Sequence, residues 1–269
     1  MTLTVTRQTA TRHTVLRAAA AFTLGFALLA ATGLATAHAQ DYAAIVAAPD
    51  RTEADRQTDK RRDPVRLLDF AAPKTGATVL DMGAGAGYST ELMARATGPT
   101  GKVHAQIGAQ SEKLRARMAS PAMAPSAMAP SAMAPSAMAN VTVLVRPFDD
   151  PVPAETRNLD LITFFFAYHD TIHMGVDRTK MNKALFDALK PGGFLVIADH
   201  AARPEDGATV SKTYHRVAEQ TVRAEIEAAG FTFVSGADFL RHPEDARTDI
   251  VFRNPTPVDE FVLKFQKPR

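Results

Sequence analysis

A glycine-rich segment has residue types and spacing that suit ligand binding. Residues 79–87 read Val-Leu-Asp-Met-Gly-Ala-Gly-Ala-Gly, so an apolar run ends in Asp81 and continues into Gly83, Gly85 and Gly87. Glycines at a strand-to-helix junction let the backbone approach a ligand and leave the first helical amides free. A tight turn would also use glycine, but the acid at the end of the run and the absence of a G-x-x-x-x-G-K-[ST] phosphate loop favour a ligand site.

A second group combines imidazoles with carboxylates. Tyr168-His169-Asp170 and Asp199-His200 each follow an apolar run, and His173 lies close behind the first group. A histidine oriented by a carboxylate can act as a general base on a hydroxyl or an amine. We therefore predict catalytic roles for Tyr168, His169, Asp170 and His200. The alternative is that these side chains are hydrogen-bonded structural residues and that Tyr168 covers a cleft or stacks on a ligand.

The pattern of apolar runs predicts how these groups are positioned. Strands alternate with helices, which indicates a parallel sheet covered by helices on both faces. In such a sheet the carboxyl ends of the strands form the ligand crevice, so both groups are expected to face one cleft. The predicted strands are 77–81, 102–107, 141–145, 159–166, 194–198, 231–235 and 260–265. The predicted helices are 41–71, 88–96, 111–118, 179–189 and 217–229.

Two motifs together carry a family resemblance. Residues 81–87 and the segment Leu189-Lys190-Pro191-Gly192-Gly193, predicted as a turn, resemble motifs of the class I S-adenosylmethionine (SAM)-dependent methyltransferases. More narrowly, 41–268 is similar to a group of exported bacterial methyltransferases, except at a repeat insert. The resemblance implies a Rossmann-like α/β fold with a seven-stranded, mostly parallel sheet, and SAM as cofactor.

The resemblance also implies roles for individual residues at the cofactor. Asp81 would contact the methionine end directly or through water, and Gly83, Gly85 and Gly87 would shape the loop beneath it. Asp149 would bind the adenine amine, with Phe148 beside the base. Where the family places an acid for the ribose hydroxyls, this chain has Ile107 preceded by Gln106, which can accept one hydrogen bond but offers no charged bidentate grip.

Composition limits the classes of protein that remain. Among the 269 residues there is no cysteine, which excludes disulfides and thiolate metal sites. From Gln40 onward 28 basic residues face 29 acidic ones, so the net charge of +2 arises in the first segment. Binding to nucleic acid is not expected, because it requires clustered basic charge. A small molecule is the expected partner.

The first 39 residues are predicted to form a secretory signal peptide. They combine three arginines, a mostly apolar stretch at 18–34 and the cleavage sequence Ala37-His38-Ala39. The predicted product is an exported protein, periplasmic or secreted, with no stable membrane span after cleavage. An uncleaved anchor and a mitochondrial transit peptide are the alternatives.

The exported part, residues 40–269, is predicted to be one methyltransferase-like domain with a low-complexity insert at 120–139. The insert repeats Pro-Ser-Ala-Met-Ala, with methionines and prolines recurring every five residues. Each proline blocks helix propagation, so a surface loop is expected. Methionine-rich repeats outside the cytoplasm can also bind copper(I) through their thioethers.

Three functions are consistent with these features. The first is methyl transfer from SAM to oxygen or nitrogen of a small molecule. The second is a catalytically degenerate binding protein on the same scaffold, which export and the missing ribose acid favour. The third is a metal-dependent enzyme that uses His169, His173, His200 and a carboxylate. The spacing of those residues matches no established metal signature, so no metal site is predicted.

Overall fold

The computed structural model describes residues 40–120, 136–253 and 257–269. The predicted signal peptide and most of the repeat insert lie outside these ranges. Seven strands form one sheet in the order β3-β2-β1-β4-β5-β7-β6. Strand β7 pairs antiparallel with both β5 and β6, and the other neighbouring strands pair in parallel. The strands are β1 (Thr78–Met82), β2 (Lys102–Ile107), β3 (Val141–Val145), β4 (Leu159–Phe165), β5 (Leu189–His200), β6 (Thr232–Ala237) and β7 (Glu260–Gln266).

The helices cover both faces of this sheet. In chain order they are α1 (Tyr42–Val46), α2 (Glu53–Arg62), α3 (Pro64–Ala71), α4 (Tyr88–Thr97), α5 (Glu112–Ala119), α6 (Tyr168–His173), α7 (Arg178–Ala188), α8 (Ser211–Tyr214) and α9 (Glu219–Ala228). Within the ranges described, none of them is long and apolar enough to cross a membrane.

Alternation along the strands divides the core into two layers. On β1, Val79 packs with the core that includes α3 and α4, whereas Leu80 and Met82 pack with the core that includes α7 and α9. Successive side chains of a strand point to opposite faces, so a central strand must be apolar on both. The run Leu161 to Phe165 meets this requirement, and each of its residues is buried. The predicted α/β architecture is confirmed.

The N-terminal segment differs from the prediction. The single helix expected over 41–71 is three helices. A Thr52–Asp55 capping box starts α2, and Asp63, with a φ of 39°, separates α2 from α3. Because proline disfavours the α conformation in the preceding residue, Pro64 forces this break and then occupies the first turn of α3.

The segment Leu189-Lys190-Pro191-Gly192-Gly193 is also corrected. It forms the irregular start of β5 instead of a turn, and the register against β4 shifts between Leu159 and Leu161. Gly192 has a φ of 78°, and a Cβ at Gly193 would lie 3.0 Å from the carbonyl oxygen of Leu159. The two glycines therefore allow a bulge and a close strand contact.

Candidate functional site

The glycine loop connects β1 to α4, and its three glycines serve different purposes. Gly83, Gly85 and Gly87 have φ values of 64°, 55° and 85°. A Cβ at Gly83 would lie 2.9 Å from the Cβ of Ala167, and one at Gly87 would lie 2.6 Å from Cδ1 of Leu114. At Gly85 a Cβ would meet only the carbonyl oxygen of Gly83, at 3.8 Å. Packing explains the first and third glycines, and Gly85 alone leaves open space for a ligand.

Asp81 supports this loop from below. Its carboxylate is fully buried and accepts hydrogen bonds from Ser89 Oγ (2.8 Å), Thr90 Oγ1 (2.6 Å) and Thr163 Oγ1 (2.8 Å). Burial raises its pKa above the ordinary value, against the effect of these hydroxyls. The carboxylate thus links β1 to β4 and to the first turn of α4.

Gln106, near the end of β2, holds the loop from the side. Gln106 is fully buried, accepts a hydrogen bond from the Gly83 amide (2.9 Å) and donates one to the Arg146 carbonyl (2.6 Å). Both polar atoms of its side-chain amide are hydrogen-bonded to the backbone. Gln106 therefore supports the glycine loop, in place of the ribose contact predicted for it. Ile107 is 4% exposed and belongs to the core.

The predicted adenine-binding pair follows β3. Phe148 is buried and stacks on Phe164 of β4, with ring centroids 6.0 Å apart. Its ring would lie 3.5 Å from a Cβ at Gly83, so it borders the glycine loop. Asp149 keeps a side chain 32% exposed and pairs with Lys180 Nζ at 3.2 Å. Both residues therefore follow β3, and their contact with adenine stays a prediction.

An aromatic and basic group borders the loop on its other side, and sequence reasoning missed it. The guanidinium of Arg62 lies 4.3 Å from the ring centroid of Phe166 and 5.2 Å from that of Tyr88. Burial, together with Arg61, lowers the pKa of Arg62. Phe166 has a φ of 58°, which is unusual for a bulky residue and commonly marks a functional site.

Beyond Phe166 the chain begins α6, and His169 there is held between two carboxylates. Its Nδ1 donates to Asp199 Oδ1 (2.6 Å), its amide donates to Asp199 Oδ2 (2.8 Å), and its Nε2 lies 3.1 Å from Asp170 Oδ1. Although burial lowers its pKa, the two carboxylates raise it further, to about 10. Both ring nitrogens of His169 therefore face carboxylates, and its role as a general base stays a prediction.

Three imidazoles lie around one carboxylate oxygen of Asp170. Besides His169, Nδ1 of His215 lies 3.3 Å from Asp170 Oδ1 and Nε2 of His173 lies 3.8 Å from it. Its pKa is lowered, because the effect of His169 and His215 outweighs that of burial. His215 caps the C-terminal end of α8, with a φ of 55°. Asp170, whose side chain is 36% exposed, presents this cluster to solvent.

His200 forms a different kind of pair. Burial lowers the pKa of His200 to about 3 and raises that of Glu260 to about 8, so it disfavours the charged form of each group. His200 Nδ1 lies 2.8 Å from Glu260 Oε1, but the two atoms are not aligned as a hydrogen bond. Glu260, on the antiparallel strand β7, is a second polar residue that sequence reasoning missed; only the register of β7 against β5 brings it beside His200.

Two residues near the cluster have structural contacts. Tyr168 is fully buried in the core, where its hydroxyl donates to Glu225 Oε2 (2.7 Å) and accepts from Asn182 Nδ2 (2.8 Å). It therefore does not join the other predicted catalytic side chains in the cleft. Arg216 is fully buried and forms an ion pair with Asp245 at 2.7 Å.

The fold matches those of solved methyltransferases. No family model matches the sequence, and no curated protein matches it. A SAM-dependent methyltransferase from Aquifex aeolicus is 20% identical over 79% of this chain and 96% of its own, with a TM-score of 0.55. The cyclase SpnF is 14% identical over 80% and 82%, also with a TM-score of 0.55. A possible exported protein from Bordetella parapertussis is 16% identical over 80% and 68%, with a TM-score of 0.51.

These similarities, together with the strand order, define the class of the fold. The chain has the Rossmann-like class I methyltransferase fold. Because SpnF carries the same fold and is a cyclase, the fold alone does not determine the reaction. The function must be argued from the residues of the cleft.

Proposed function

We propose that this protein is a SAM-dependent methyltransferase that acts on oxygen or nitrogen of a small molecule. The observation that carries the proposal is the open face of Gly85, the one glycine of the loop whose missing side chain is not explained by packing. It lies where α/β proteins bind ligands, at the carboxyl end of a central strand and the start of a helix. The fold shared with SAM-dependent methyltransferases is consistent with this assignment.

The residues around the loop fit a cofactor with an adenosine and an amino-acid end. Gly85 would lie against the amino-acid end, Phe148 would flank the adenine and Asp149 would accept from its amine. Asp81 and Gln106 hold the loop in shape, since their polar atoms are occupied within the protein. When bound, SAM supplies an electrophilic methyl group. The protein contributes the positioning that such a displacement mainly requires.

The acceptor would bind beside Asp170. Of the four predicted catalytic side chains, that of Asp170 is 36% exposed, whereas His169 and His200 are 3% and 6% exposed and Tyr168 is fully buried. Asp170 can therefore reach an acceptor hydroxyl or amine. His169 and His200 would act as positioning residues behind it, and Tyr168 would support α6 from the core.

Export is part of the same proposal. The basic and apolar start of the chain and the sequence Ala37-His38-Ala39 support cleavage by a signal peptidase. Gln40 and Asp41, which follow this sequence, have contacts within the fold: the Gln40 side chain donates to the Ala96 carbonyl and Asp41 caps α1. The Bordetella parapertussis protein of similar fold is also described as a possible exported protein.

Calorimetric titration with SAM tests the proposal. Gly85→Ala should weaken binding by about tenfold or more, because its methyl group would occupy the open face where the ligand approaches. Gly76→Ala is the matched control: it also has a positive φ, of 80°, and its Cβ would meet no atom nearer than 3.6 Å. Equal affinity in both variants, or no binding by the native protein, would refute the proposal.

A binding protein without catalysis is the second candidate, because β2 ends in buried Ile107 in place of a ribose-binding acid. Incubation with SAM and a small-molecule extract of the cell envelope separates the two. An enzyme converts SAM to S-adenosylhomocysteine, whereas a binding protein holds it unchanged.

A further inference from the structure

The cluster around Asp170 has the composition and spacing of a metal site. Ligand atoms of His169, Asp170 and His215 lie within 4.8 Å of one another. His169 Nε2 and His215 Nδ1 are 3.1 Å and 3.3 Å from Asp170 Oδ1. A cation with ligand bonds near 2.1 Å holds its ligand atoms about 3 Å apart. We propose that His169, Asp170 and His215 bind a divalent transition-metal cation.

The buried support of His169 is the second observation. Its Nδ1 donates to Asp199, which is fully buried, and this bond directs Nε2 toward Asp170. Metal-binding histidines typically donate their other ring N–H to such a carboxylate, which fixes both the tautomer and the ring orientation. A histidine that served only to pair with Asp170 would not need a second, buried carboxylate behind it.

The backbone at His215 is the third observation. A φ of 55° lies in the left-handed region, which is sparsely populated outside glycine. It holds the imidazole 5.5 Å, centroid to centroid, from those of His169 and His173. His173 follows His169 by four residues, so both rings lie on one side of α6.

The ligand chemistry selects the kind of cation. Two imidazoles and one carboxylate suit zinc, iron, cobalt or nickel, whereas magnesium and calcium prefer oxygen ligands alone. Three protein ligands leave a coordination position open, as in catalytic zinc sites. That position would take the hydroxyl or amine of the acceptor, and this last step rests on the proposed methyl transfer.

Titration with cobalt(II) chloride tests the site, since bound cobalt absorbs visible light. Untagged, metal-free protein without SAM should bind one equivalent and develop a visible spectrum that zinc chloride abolishes. Asp170→Asn and His215→Asn should each weaken binding by about tenfold or more. Asparagine tolerates the positive φ at position 215, so the second variant should fold. Circular dichroism checks both variants.

His242→Asn is the matched control, because His242 is one-third exposed and pairs with Glu244 outside the cluster. Its cobalt binding should equal that of the native protein. The proposal is overturned if cobalt does not bind, or if all three variants bind it equally. Failure of the SAM titration with intact cobalt binding would refute methyl transfer and leave the metal site standing.

Discussion

Glu260 is a buried carboxyl group whose ionisation opposes folding. Its pKa is raised to about 8 in the folded protein against 4.5 for an ordinary glutamate. The protonated carboxyl group is favoured in the folded protein. Its contribution to the free energy of unfolding is therefore fully present below pH 4.5 and is lost as the pH rises through about 8. The groups that face it are Arg61, Arg62, Asp199, His200 and His242.

Glu260→Gln should remove this pH dependence. Between pH 5 and pH 8 the unfolding free energy of the native protein should fall relative to that of the variant. The expected loss is about 1 kcal/mol per pH unit. Urea denaturation at several pH values measures the difference. Glu244→Gln, at an exposed position, should follow the native curve. Parallel curves for native protein and Glu260→Gln would show that Glu260 is ionised in the folded state.

A substitution at Ile107 tests whether an acidic side chain can be placed at the end of β2. Because its side chain packs in the core, Ile107→Asp should destabilise the fold by at least about 3 kcal/mol and not improve SAM binding. Val145 is its partner on β3 and is 42% exposed, so Val145→Asp should cost about 1 kcal/mol or less. Chemical denaturation compares them; equal losses would place Ile107 at the surface.

What the sequence predicts at this scale depends on separation along the chain. Asp81 and the glycines could be located because they adjoin the end of one strand. His215 lies 45 residues from Asp170, and only the packing of α8 against α6 brings the two together. Likewise, the side-chain amide of Gln106 donates to the carbonyl of Arg146, which follows a different strand. Contacts of this kind have no local pattern.

At the scale of elements, the repeat insert ends inside the domain. Met138, the last methionine of the repeat, is 2% exposed and packs beside Gly87, with Cε 3.6 Å from a Cβ there. The following Asn140 donates to the carbonyls of Ala94 and Gly98. The predicted boundary at 139 therefore includes residues that the fold uses, which the period of the repeat concealed.

Met138→Ala should lower the unfolding free energy by about 2–4 kcal/mol, the usual cost of a core methionine truncation. Met174→Ala is the control, because Met174 is 56% exposed and its truncation should cost well under 1 kcal/mol. Deletion of 121–135, for which the sequence predicts a surface loop, should cost little, since the entropy of loop closure depends weakly on loop length. Thermal and urea unfolding measure all three; a Met138 variant as stable as the control contradicts the packing.

The strand pattern was predicted better than the helices. Buried strands have a short apolar signature, and all seven were located, although β5 begins earlier than predicted. The α6 helix was not predicted, because it has only six residues and two of its buried residues, His169 and Thr171, are polar. A short helix with a polar buried side lacks the amphipathic period that identifies helices.

At the scale of the whole molecule, export predicts a defined N-terminus. Expression of residues 1–269 in a bacterial host should yield a protein that starts at Gln40, because cleavage after Ala39 is expected from the small-x-small sequence. N-terminal sequencing of the envelope fraction checks this, and Ala39→Leu, which should block cleavage, is the control. A native product that starts at Met1 or Thr2 would contradict it.

The central claim is that the Gly85 face of the β1–α4 loop holds SAM. A crystal structure of the protein soaked with S-adenosylhomocysteine tests it most directly. We expect electron density for the amino-acid end against Gly85 and for the adenine beside Phe148 and Asp149. Density for the ligand elsewhere, or a Gly85 face still free of ligand at saturating concentration, would contradict the assignment.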